Sequence, residues 1–439
     1  MRPNVLAVLI FVLVTTVCQA QPREEKVRGD KKQVESAGYW IYNDLPRGIE
    51  IAKESKKPLL LVFRCVPCEA CAQLDEEVVE RDARVRELLD KFVCVRVVHA
   101  NGLDLSLFQF DLDQSWAAFF LNADMTIYGR YGTRSHQRES KDDVSLEGFS
   151  KALVGALELH GQFPRHKEAL AAKRGPVSDV KVPEQFPSLK GKYGPKLDYE
   201  GKVVQSCIHC HQVGEAMRLL VRSSRQAVAD KVIYPYPNPK IFGLILDPQE
   251  KAKVRTVVAG SSAEQDDFRD GDEIVTLANQ PMLSIADMQW VLHHAGETGT
   301  LTAEVVREGK SKSLTLTLNK GWRQQDDISW RATSWDLRRM TLGGLLLESL
   351  SVEQRNELKL TPDQMALRAK HVGQYNEHAV AKRAGFLKDD VVVSLDGDSS
   401  PLTETALMAK LLNTKRPGDT ITLGVLRAGK RLELKFAQQ

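Results

Sequence analysis

At 439 residues the chain is too long for one compact core and predicts three or four domains. Its apolar fraction of 42% and charged fraction of 27% are those of an ordinary soluble globular protein. The net charge is only +3, with acidic and basic residues interspersed and no dense basic stripe carrying interleaved aromatics, which argues against a nucleic-acid partner.

The N-terminus has the layout of a secretory signal over residues 1–20. Arg2 supplies the charge, Val5 to Val14 the apolar run, and Cys18-Gln19-Ala20 a small-residue cleavage site. The run is short for a membrane span, and an uncleaved anchor is the competing reading. Val17 stands where a lipoprotein signal wants a small residue. Export predicts a periplasmic or otherwise extracytoplasmic protein with no span in its mature part, in a compartment where disulfides persist. Residues 21–36 mix charges without periodicity and read as a flexible lead.

Asp44-Leu45-Pro46 can open a helix running to Lys56, with Pro46 in its first turn. Pro58 to Phe63 is a continuous apolar run, fit for a strand buried on both faces. Then comes Cys65-Val66-Pro67-Cys68-Glu69-Ala70-Cys71, followed by a helical pattern from Ala72 to Leu89. Strands are predicted at 93–98, 116–121 and 126–130, and a helix from Leu146 to His160. Cys94 sits in the apolar run Phe92 to Val98 and reads as a small core residue.

This order, with Phe63 ending the buried strand and Cys68-Glu69-Ala70-Cys71 opening the next helix, resembles the thioredoxin fold over residues 38–162. A thiol at a helix N-terminus is a better nucleophile because unpaired N–H groups stabilise its thiolate. Cys68 is the exposed end suited to attack, Cys71 the inner partner suited to resolve a mixed disulfide, and Cys65 a third thiol within reach. Thioredoxins place a cis-proline opposite the dithiol. Here that position falls near Ser115-Trp116-Ala117, without a proline. Three readings of the cluster therefore stand: exchanging thiols, a copper or iron–sulfur site, and a structural disulfide.

Residues 163–235 combine a Pro-, Gly- and Lys-rich stretch to about 200, read as a linker or loose segment, with the motif Cys207-Ile208-His209-Cys210-His211. In an exported chain CxxCH is the attachment signature of c-type haem: Cys207 and Cys210 for thioethers, His211 for the iron. Met217 is a candidate sixth ligand, with His160, His166 and His209 as others. A second dithiol is the alternative.

The C-terminal half is an internal repeat. Asp266 to Gln280 and Ala384 to Asp398 share an aspartate pair before an apolar strand, each followed by a helix, a glycine turn and two strands. The copies resemble PDZ domains of the bacterial envelope type, over 238–320 and 336–438. That resemblance implies peptide capture at Phe242-Gly243-Leu244-Ile245 and Leu342-Gly343-Gly344-Leu345, with Gly243, Leu244, Gly344 and Leu345 as binding residues. Each groove is expected either to take a peptide or to be a blocked spacer. No serine-protease motif, P-loop or dinucleotide fingerprint occurs. Asp389-Asp390, Glu76-Glu77 and the histidines His99, His293, His294 and His378 read as solvated or satisfied groups.

As a whole the chain resembles the bacterial thioredoxin-like/PDZ family of planctomycete type, some members of which are selenoproteins, with an added haem motif. The fold class expected is a multidomain α/β plus mainly-β protein. The function expected is thiol redox and electron transfer, with PDZ domains recruiting a peptide or protein client. An envelope scaffold with structural cysteines and a copper metallochaperone are the alternatives.

Overall fold

A computed structural model describes residues 23–64, 66, 82–114, 116–135 and 142–439. Cys65, Cys68, Cys71, the pair Glu76-Glu77 and the signal segment lie outside the described residues. The chain forms two compact units, one of residues up to 213 with 236–320, the other of 214–235 with 321–439. Among the described residues, no helix is long and apolar enough to cross a membrane.

The first unit opens with a helix, α1 (23–37), where a flexible lead was expected. Its buried Val27 and Val34 each join an apolar cluster, which is why the charged segment orders. Next come β1 (Ile41–Tyr42), α2 (Leu45–Ser55), β2 (Leu59–Arg64), α3 (Ala83–Leu89), β3 (Val93–Val97), β4 (Trp116–Leu121), β5 (Ile127–Tyr131) and α4 (Leu146–Gly161). They make a five-stranded sheet in the order β1-β3-β2-β4-β5, with β1, β3 and β2 parallel and β4 and β5 antiparallel.

Both faces of β2 are buried, as its unbroken apolar run requires. Leu60 and Val62 pack with Phe120, Phe149 and Ala152 on one face. On the other, Phe63 meets Phe108, Phe110 and Phe119. Asp44 caps α2 by accepting from the Arg47 N–H at 3.0 Å. Gly48 is needed because a Cβ there would come within 2.4 Å of Val95. Cys94 is buried, as expected.

Residues 163–208 carry little regular structure but are not a loose linker. Phe186, Leu189 and Val203 are buried, and Leu105 N–H donates to the Lys181 carbonyl at 3.0 Å. Glycine and proline here shape an irregular path that other contacts hold.

After α5 (Cys210–Ser223), most of which belongs to the second unit, the first unit continues with β6 (Leu244–Leu246), β7 (Val254–Val257), β8 (Glu273–Leu277), β9 (Gln280–Pro281), α6 (Ile285–His294), β10 (Gly299–Arg307) and β11 (Lys310–Leu318). The second unit repeats this order: α7 (Ser334–Leu342), β12 (Leu345–Ser349), β13 (Leu367–Val372), β14 (Val391–Leu395), α8 (Glu404–Thr414), β15 (Thr420–Arg427) and β16 (Lys430–Ala437). Its strands form one sheet, β12-β13-β14-β15-β16, over a core that includes Leu337, Leu367, Val392, Leu407 and Leu423.

Of the pair Asp389-Asp390, read as solvated, Asp389 is exposed as expected but Asp390 is not. Asp272 and Asp390 are both buried, and each takes a two-pronged ion pair from the last residue of the closing hairpin's first strand: Arg307 at 2.7 and 2.8 Å, Arg427 at 2.6 and 2.6 Å. Each carboxylate also accepts a backbone N–H, from Arg269 or Leu387, at 2.9 Å. A carboxylate so placed fixes a turn against a hairpin, which explains its recurrence in both copies.

Candidate functional site

β2 and β3 run parallel with Phe63 opposite Val97, so the chain leaves the sheet side by side after Arg64 and after Val97. Beyond Arg64 begins the cysteine cluster. Of its seven residues only Val66 is described, and it is buried in one apolar cluster with Val27, Val98 and Val203.

Beyond Val97, residues 98–101 are strapped to the second cysteine motif. Ala100 N–H donates to the Ile208 carbonyl and Ile208 N–H donates to Asn101 Oδ1, both at 2.8 Å. Asn101 Nδ2 donates to the Ser206 carbonyl at 2.9 Å and the Gly194 carbonyl at 2.7 Å. One buried side chain thus ties three strands of chain together. Ile208 is fully buried, and the Cys207 thiol lies 4.0 Å from the Val98 carbonyl oxygen.

Burial pushes the Cys207 thiol up to about 12, with Cys210 adding to the rise. At neutral pH Cys207 is therefore a thiol rather than a thiolate. Cys210 opens α5 and His211 follows it; Gln212 Oε1 accepts from the His209 N–H at 2.8 Å and closes the helix start. The rings of His209 and His211 stack with centroids 5.5 Å apart.

A polar chain borders the same place. Arg64, the residue before the cluster, pairs with Asp30, whose other oxygen accepts from Tyr42 at 2.7 Å. Tyr199 accepts from Asn43 Nδ2 at 3.2 Å, and burial raises its phenol, with a smaller contribution from Cys207. Asp30, Asn101 and Tyr199 escaped the sequence reading. The turn signal Asn101-Gly102 after an apolar strand marked a bend but not what the amide would hold.

His99 lies between these residues, and its Nδ1 is buried without a hydrogen-bond partner. Burial lowers its pKa to about 4. Because the folded value is below the ordinary one of about 6.5, the unfolded chain binds the proton first on acidification. The stabilising contribution is thus complete above about pH 6.5 and lost as pH falls towards about 4, up to roughly 3 kcal/mol. His99→Phe should flatten urea-melt stability across that window, and an unchanged acid slope would refute the assignment.

The donor types match those of a covalent haem, two thiols three apart and an imidazole beside the second, while the Cys207 sulfur is buried against the Val98 and Ile208 carbonyls. The sixth-ligand candidates fare less well. Both ring nitrogens of His160 are engaged, with Tyr128 and the Lys56 carbonyl, and His166 bonds Gln162. Met217 is exposed and lies on the same helix as His211, six residues on and so on a different face of α5.

At the other candidate sites, Gly243 has φ 84° and closes a short 3-10 turn before Leu244 starts β6. Gly343 and Gly344 have φ 61° and 91°, and Leu345 starts β12. A Cβ on Gly344 would come within 1.9 Å of the His378 carbonyl oxygen, so only glycine fits.

Among solved structures, the chain is similar to a variant of the HtrA-type protease AlgW with a decapeptide (16% identity, 32% of this chain and 40% of that one, TM-score 0.20). It is likewise similar to AlgW with a tripeptide (18%, 31% and 47%, 0.20) and with a decapeptide (18%, 31% and 48%, 0.19). The chain spans less than half the length of each. No curated protein matches it. Family models match at residues 40–123, as thioredoxin-like, and at 369–437, as a PDZ domain. The chain therefore carries a thioredoxin-like domain at its N-terminal end and a PDZ domain at its C-terminal end.

Proposed function

We propose that this protein is an exported thiol-redox and electron-transfer protein, with Cys68 and Cys71 as the exchanging pair, Cys65 beside them, and a client recruited through PDZ modules at 238–320 and 336–438. The observation that carries the reading is the strap between residues 98–101 and 206–208. It ties the CxxCH motif to the sheet end where the cysteine cluster begins.

In this reading Cys207 and Cys210 would hold a haem through thioethers and His211 would ligate its iron, supplying one-electron transfer when bound. The chain's own residues do the positioning. Asn101 and Ala100 fix the loop that carries Cys207, and Gln212 fixes the start of the helix that carries Cys210 and His211.

Full-length protein co-matured with haem-attachment machinery tests both halves. A Soret band and one haem mass on the 207–211 peptide are expected, and their absence removes the haem. Turnover of a small-molecule disulfide should fall roughly 100-fold or more in Cys68→Ser. Unchanged turnover in Cys68→Ser and Cys71→Ser would remove the exchange chemistry, and stoichiometric copper in the reduced protein would favour metal delivery instead.

A further inference from the structure

The second module's peptide site is already filled. β12 is the outermost strand of its sheet, so one of its edges has no strand partner. Peptides add to such an edge through its backbone N–H and C=O groups, with the terminal carboxylate held by N–H groups of the glycine loop. One N–H of each set is already in use here.

Leu347 N–H, from the middle of β12, donates to Glu404 Oε1 at 2.7 Å. Glu404 opens α8, the helix on the far side of the groove. Its carboxylate is gripped by Arg338 of α7, Nε to Oε1 at 2.9 Å and Nη2 to Oε2 at 2.6 Å, with both side chains buried. Gly344 N–H in the glycine loop donates to the Arg338 carbonyl at 3.0 Å. The end of a helix thus takes what a client's carboxylate would need. α7 also lies against both β12 and α8, and its Leu337 and Leu342 share one apolar cluster with Leu345, Leu347, Leu407 and Leu411.

We infer that α7 is a built-in occupant of this groove, so that a client's C-terminus must displace α7 before it can add to β12. The inference rests on reading residues 336–438 as a peptide-binding module. The Arg338–Glu404 pair is the latch. Removing one partner leaves the other's charge buried, whereas removing both frees Leu347 N–H and the groove wall together.

The test uses the full chain, a pool of randomised decapeptides with free C-termini, and the same pool amidated. Photo-cross-linking of the pool to residues 336–438 should be no greater for free than for amidated peptides in the wild type. In Arg338→Ala/Glu404→Ala it should be about tenfold greater or more for the free peptides. Deuterium exchange should find the amides of 338–342 as slow as those of β14 in the wild type and fast in the variant. Wild-type capture of free carboxylates at residues 336–438 with α7 still protected overturns the inference alone, because the client then adds there without displacing α7. An opened variant that captures nothing overturns the peptide-binding reading with it. Should the variant fail to fold, fast wild-type exchange at 338–342 beside a protected β14 overturns the inference, and slow exchange supports it.

Discussion

Replacing Asp287 by alanine is expected to be the most destabilising single change in the first unit, at about 3–5 kcal/mol. Asp287 is fully buried on α6 and binds Lys173 Nζ at 2.7 Å, the Arg130 N–H at 3.2 Å and the Leu283 N–H at 3.1 Å. Lys173 is fully buried too, and its carbonyl accepts from Arg130 Nη2 at 2.7 Å. The Arg130 guanidinium lies 3.6 Å from the Trp290 ring centre. The cluster joins β5, the 167–173 segment and α6, which is why every residue from Ile285 to Leu292 is buried. Loss of the carboxylate strands an ammonium and two N–H groups at once.

The deficit has a pH signature. Burial lowers the Lys173 pKa and Asp287 opposes that shift, so removing Asp287 lowers the pKa further. A lysine held below its ordinary value binds fewer protons folded than unfolded, and stability therefore rises with pH up to about 10. The Asp287→Ala penalty should be largest at neutral pH and shrink as pH climbs. Lys173→Met should cost less, because the carboxylate keeps its two backbone donors. Thermal melts at two pH values check both, and an equal or larger loss in Lys173→Met would refute the account.

Asn101→Ala should expose Cys207. The amide makes three hydrogen bonds to residues 93 to 107 positions away, and their loss leaves buried backbone groups unpaired. Opening of the 194–208 segment should become easier by about 2–3 kcal/mol, which raises Cys207 alkylation in haem-free protein roughly 30-fold or more. Asn101→Asp keeps the acceptor for Ile208 and should fall between the two. Equal labelling rates in all three proteins would show that Asn101 does not hold the loop.

The candidate site was legible in the sequence as two separate motifs and no further. CxxC after a buried strand and CxxCH before a helix are local patterns, each recognisable within seven residues. Their neighbours are not local. Asn101 meets Ile208 across 107 positions and Asp30 meets Arg64 across 34, and neither pairing leaves a mark in composition or periodicity. The histidines show the same limit. His160 was open to ligation by type, and hydrogen bonds with Tyr128 and the Lys56 carbonyl occupy both of its ring nitrogens.

By itself the sequence determined the elements and their order. Apolar runs place β2 to β5, Asp44 and Pro46 start α2, and a shared aspartate pattern marks the stretches 266–280 and 384–398. These are properties of a few adjacent residues, so they survive without the fold. Only the tertiary structure decided which polar groups are buried, and hence what they do. It turned Asp390 from a turn end into an ion-pair anchor, an apparent linker into a strap on Cys207, and Glu404 from a helix start into the partner of Arg338 and the Leu347 N–H. The reason is physical: desolvation gives a charge or an amide its partner requirement, and burial is settled by the whole chain at once.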